Sequence, residues 1–159
     1  MKIIAFVLIL AAPSMAASAQ TKPAPAPAPP ATVASLDGLP IGTIPRQELP
    51  TGSCAAFLWS QTPGHGLIMM VSASPATVRF APGGAVTDLV RVAQNGEAQF
   101  GLAATTEYAG GDLRVTVDME IIKRGDLTDG AAVPTATVRV DQAGKDSVIV
   151  PAAGIIGCG

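Results

Sequence analysis

Between residues 113 and 121 the chain alternates without a break: Leu113, Val115, Val117, Met119 and Ile121 are apolar, and Arg114, Thr116, Asp118 and Glu120 between them are polar. Successive side chains of a strand point to opposite faces, so a period of two places each set on one face, whereas a 3.6-residue period would scatter both around a cylinder. The stretch is therefore a strand with one solvated face. The pattern returns in "TATVRVD", residues 135–141, with Ala136, Val138 and Val140 turned inward. A chain that repeats this pattern is committed to stacking or closing a sheet, because a single solvated strand buries nothing.

The rest of the C-terminal two thirds follows suit. "CAAFLWS" (54–60), "LIMMVSA" (67–73), "ATVRF" (76–80), "AVTDLVRVA" (85–93), "EAQFGLAAT" (97–105) and "SVIVPAAGIIGC" (147–158) are short apolar runs. Between them lie the turn clusters "QTPGHG", "APGG", "YAGGD", "KRGDLTDG" and "QAGKD". Asn95-Gly96 is the strongest short-range hairpin signal, since both positions of a tight two-residue turn need positive φ, and a hairpin tip is expected there. No amphipathic helix is visible. The expected fold is all-β: a single antiparallel β-sandwich or small β-barrel of about eight strands over residues 53–159. The chain's hydrophobic content of 48% supplies enough Val, Ile and Leu for one core.

Upstream the composition changes twice. Lys2, the apolar run "IIAFVLILAA" (3–12) and the small-x-small triplet Ala17-Ser18-Ala19 predict a signal peptide over residues 1–19 cleaved after Ala19, and a periplasmic or secreted product. The apolar run is shorter than the roughly 20 residues of a spanning helix, so the mature form is expected to have no membrane span. Residues 20–52 read as a Pro/Ala-rich extended linker. In "TKPAPAPAPPA" (21–31) each proline lacks an N–H and fixes φ, so a polyproline-like spacer or a docking segment is expected rather than a packed element. Prolines 40, 45 and 50 continue the interruption, with Leu39, Ile41, Ile44 and Leu49 expected along the domain surface. Loss of Lys2 with the signal shifts the formal charge from −2 to −3. Without a basic field, nucleic acid is not an expected partner.

The two cysteines bracket the foldable region, with 158 − 54 = 104 positions from Cys54 to Cys158. In an exported chain a single pair is one disulfide, and a CxxC redox spacing is absent. Closing a loop of that length removes the equivalent of roughly 4–5 kcal/mol of unfolded-state entropy in the chain-entropy model.

Residues that carry chemistry are sparse. His65, the only histidine, sits in "PGHGL" between two glycines, as a loop residue without a nucleophile or a second ligand in its motif. Asp126 and Asp129 in "RGDLTDG" lack the alternate spacing and distal glutamate of a calcium loop. Asp118 and Glu120 share the solvated face of one strand, which alone flanks no cleft for glycoside chemistry. No GxSxG, phosphate-loop, dinucleotide or HExxH signature occurs, so no catalytic residue, metal or cofactor is assigned and the chain is not expected to be an enzyme. Contact residues are expected in loops, at Asn95, Gly96, Glu97 and Gln99 and at His65, with Trp59 as an aromatic contact beside Phe57 on one strand face. Adjacent Met69 and Met70 point to opposite faces, which implies that their strand is covered on both sides.

In outline the chain resembles the small envelope β-domains that include inhibitors of host lysozymes, which combine a signal peptide, a disulfide joining first and last strands, and a hairpin-rich barrel. The C-type lysozyme inhibitors in that group insert a Ser-Gly-x-x-Tyr loop into the enzyme. Here "QNGEAQF" has Asn95 in the serine position, and Phe100 lies four residues after Gly96 rather than three, so the resemblance covers architecture alone. The expected role is a non-catalytic binding or structural protein of the envelope, with an unidentified protein or envelope component as partner. The alternative is an inhibitor of a lysozyme-type cell-wall hydrolase or a protease, with "VAQNGEAQF" or "TPGHGL" inserting.

Overall fold

The computed structural model describes Ser35, Leu36 and residues 38–159. The expected signal peptide, its cleavage site after Ala19 and the Pro/Ala stretch 21–31 lie outside the described residues. Nine strands follow in order: β1 (Ile41–Gly42), β2 (Cys54–Ser60), β3 (Leu67–Ser72), β4 (Thr77–Pro82), β5 (Thr87–Gln99), β6 (Leu102–Gly110), β7 (Leu113–Met119), β8 (Gly130–Gln142) and β9 (Val148–Cys158). From β2 to β9 each strand pairs antiparallel with its sequence neighbours, and β2 pairs with β9, so eight strands close into an up-and-down barrel. Of the two architectures left open by the sequence, the chain forms the barrel. Closure pairs the strand edges that an open sheet would expose.

The interior is filled. Leu58, Met69, Val71, Val78, Phe80, Tyr108, Val115, Val117, Val138 and Val150 are each at most 1% exposed and belong to one core cluster, as expected of a barrel of this strand number. The alternation of 113–121 survives in β7: Val115, Val117 and Met119 are buried, and Arg114 and Asp118 are exposed. The only tyrosine, Tyr108, is among these core residues, and burial pushes its phenol up to about 12, opposed by a Thr106 hydrogen bond and the Arg91 charge.

The β2–β9 seam explains the cysteine placement. Every other strand pair in the barrel joins sequence neighbours, whereas this one closes the chain on itself from Cys54↔Cys158 to Ser60↔Ala152. Cys54 and Cys158 face each other at the seam's end, with Cα atoms 4.0 Å apart, and are disulfide-bonded. The crosslink thus carries the one long loop closure the topology demands.

Two sequence expectations are corrected. Asn95-Gly96 is not a hairpin tip. β5 runs through it as a bulge, where the register with β6 shifts between Asn95 and Ala98 and Gly96 has φ 85°. The turn is Phe100-Gly101, both at positive φ (56° and 76°), between the paired Gln99 and Leu102. Positive φ strains a phenylalanine, yet Phe100 packs on the core and Lys123 Nζ sits 5.4 Å from its ring centroid. Burial of that ring outweighs the turn preference of Asn-Gly.

The second correction concerns Ser35, Leu36 and residues 38–52, assigned above to the linker. They are built into the domain: Leu36, Ile41 and Ile44 are 6%, 1% and 5% exposed. Ile41 and Gly42 pair with Pro82 and Ala81 of β4, and the Ile44 N–H donates to the Leu67 carbonyl of β3 at 2.8 Å. The chain then crosses the outside of the barrel as a strap. Arg79 Nη1 donates to Gln47 Oε1 at 3.2 Å, Leu49 lies over Gly157 of β9, and the Gly52 N–H donates to the Gly159 carbonyl at 2.9 Å. Prolines 40, 45 and 50 do bar regular structure, but an irregular segment can still bury its apolar side chains. The strap lies on the side of the barrel where the outward residues of β2, Ala55 and Phe57, are buried, and where Met70 is half-buried opposite the core residue Met69.

Candidate functional site

The residues singled out by sequence do not converge. His65 lies in the exposed β2–β3 loop with φ 41°, its N–H donating to the Thr62 carbonyl at 3.0 Å, at the barrel end formed by Ser60, Leu67, Pro82 and Gln142. Asn95, Gly96, Glu97 and Gln99 lie toward the opposite end, beyond the last β4–β5 pair, Thr77↔Val90. The barrel's length separates the two groups, so they form no common site. Asn95, Gly96 and Glu97 are exposed, Gln99 is half-buried, and Asn95 Oδ1 accepts the Gly96 N–H at 2.8 Å, which stabilises the bulge itself. Trp59 is half-buried on the outer wall, paired with Ala153 of β9.

Of the acidic candidates, Asp118, Glu120 and Asp126 are occupied by neighbours, and Asp129 is exposed beside Gly130 of β8. Thr105 Oγ1 donates to Asp118 Oδ1 at 2.6 Å and Thr135 Oγ1 to Glu120 Oε2 at 3.2 Å, across a shallow groove of about 320 Å³ on the outside of β6, β7 and β8. Asp126 takes both Nε and Nη2 of Arg124 at 3.0 Å, which holds its carboxyl below the usual range. Among the described residues no three His, Cys, Asp or Glu side chains gather in a way that could hold a metal ion. At the His65 end, Pro40, Ile41, Pro82, Val140, Val148 and Lys145 border a recess of about 230 Å³ in the barrel mouth.

The outer wall has two characters. Over β6, β7 and β8 it is polar: Glu107 pairs with Arg114 at 2.9 Å, and Arg139 holds Asp141 below the usual carboxylate range through direct hydrogen bonds, with Ser147 adding another. Over β9 it is apolar along its whole length. Val150, Ala152 and Ile156 face the core, so the outward row is Ile149, Pro151, Ala153, Ile155 and Gly157. Ile149 is 60% exposed and Ile155 is 51% exposed. Register extends this row sideways: Trp59 pairs with Ala153, and Ile155 pairs with Ala132, which bridges to Ile122, itself 42% exposed. Leu49, 45% exposed, covers Gly157 at the row's end.

Sequence reasoning named Trp59 and missed the rest of this surface. The signal was present in "VIVPAAGIIGC", which has no polar residue at the alternate positions where β7 and β8 carry Arg, Thr and Asp. An unbroken apolar strand is one that is covered on both faces. Here the strap covers only the Gly157 end.

No family profile, curated protein or solved structure matches this chain.

Proposed function

We propose that this chain is a secreted or periplasmic, non-catalytic domain that serves the cell envelope by binding, with the outward row of β9 as its contact face. The observation that supports this reading is the row itself. Ile149, Pro151 and Ile155 are exposed, with Ala153 half-buried between them, where β7 and β8 place charged and hydroxyl side chains on the same wall. Contiguous exposed apolar surface is costly to a monomer and marks interaction sites. The test is capture of envelope components on the immobilised mature protein, beside the double variant Ile149→Lys with Ile155→Lys. Substitutions at such exposed positions leave the melting curve within about 0.5 kcal/mol per site. Loss of capture with melting retained supports the reading, and equal capture by both proteins shows that the β9 face does not carry binding.

The inhibitor reading rests on a different feature, the exposed β2–β3 loop with Pro63 and His65 at its tip. It predicts stoichiometric inhibition of at least one member of a panel of lysozymes and proteases, abolished by replacing residues 62–65.

A further inference from the structure

We infer that the occupant of the β9 face is a second copy of this chain, packed about a two-fold axis; this rests on the binding reading above and names its partner. Three observations carry it.

The first is charge. The ionic group paired with the row across the sheet is Arg139, opposite Ile149, and its guanidinium is already held by Asp141 at 2.9 Å. Beyond the Ile155 end, Arg124 is likewise held by Asp126 at 3.0 Å. Each ion pair is internally neutral, so neither adds like-charge repulsion when two copies of the row meet.

The second is shape. The row runs along one strand, and an antiparallel two-fold centred on Ala153 superposes it on itself. Ile149 of one copy then lies over Gly157 of the other, and Ile155 lies over Pro151. Ile149 there meets the half-exposed Leu49, which overlies Gly157, so apolar side chains face one another along the row. A two-fold interface requires such self-complementarity, in which one patch serves both sides.

The third is size. Leu49, Ile122, Ile149 and Ile155 are each about half exposed. With Trp59 and Pro151 they offer roughly 500 Å² per copy, or about 1,000 Å² per dimer, at the threshold for a specific, reversible interface.

The experiment is sedimentation equilibrium on the purified full chain, in the form its host processes, across low micromolar to about 200 μM protein. The wild type is expected to sediment as a concentration-dependent dimer. Ile149→Lys with Ile155→Lys is expected to raise the dissociation constant at least tenfold with an unchanged melting curve, while Thr116→Lys on the polar wall leaves it unchanged. A wild type that is monomeric throughout, or a double variant that still dimerises as tightly, overturns the proposal. If the wild type is monomeric yet the double variant loses envelope capture, the dimer falls and the binding reading stands. If neither oligomeric state nor capture responds, both fall.

Discussion

Ile41 offers a sharp test of where this domain begins. It lies in a proline-interrupted stretch, yet it is 1% exposed, belongs to the core cluster and pairs with Pro82 of β4. Ile41→Ala removes three carbon atoms from a buried site, a transfer loss of about 2.4 kcal/mol at ~0.8 kcal/mol per buried carbon. A residual cavity adds to this, within the 2–5 kcal/mol seen for such truncations. Because β1 has only two residues and its flanks are irregular, partial collapse keeps the sum near the lower end, at about 3 kcal/mol. Urea denaturation of wild type and variant reads this directly, as a fall in midpoint at constant m, and the thermal midpoint should drop by roughly 10 °C. Ile122→Ala, at a position 42% exposed, is the control and should cost under about 0.5 kcal/mol. A cost for Ile41→Ala no larger than the control's would show that residues 38–52 do not fold with the barrel.

Cys54→Ala with Cys158→Ala should lower stability by about 2–5 kcal/mol, read by urea denaturation, because the seam they close is the only barrel pairing between distant strands. Tyr108 sets a pH dependence: its folded pKa lies above the unfolded value near 10, so its contribution is intact below pH 10 and is lost as pH rises toward 12, a fall of about 2–3 kcal/mol. Since it is the only tyrosine, tyrosinate absorbance follows it alone, and Tyr108→Phe should remove this component of alkaline destabilisation. Gly101→Ala should cost about 1–3 kcal/mol by thermal denaturation, because φ is 76° there and the new Cβ would lie 2.9 Å from the Ala73 Cβ.

Legibility followed the physics of each signal. The strand character of β7 and β8 was plain because one side of each faces water, and the alternation records that. The pairing of Cys54 with Cys158 followed from a count of two. The hairpin tip was misplaced because Asn-Gly is a local preference, whereas the side chain that decides the turn, Phe100, is held by tertiary burial that no five-residue window contains. The strap was missed for the complementary reason. Prolines 40, 45 and 50 announce irregular backbone, but whether Ile41 and Ile44 are wet depends on β3 and β4, tens of residues away. The β9 face was written in the sequence as missing polar positions. It was passed over because an apolar strand is ordinarily read as core, and only the closed barrel shows that half of this one points outward.

Photo-crosslinking in intact cells decides whether the β9 face is the contact surface, with p-benzoylphenylalanine placed at Ile155 on that face or at Thr116 on the polar wall. A discrete crosslinked species is expected from position 155, and none from position 116. Crosslinks from position 116 with position 155 silent would contradict that expectation and move recognition to the polar wall.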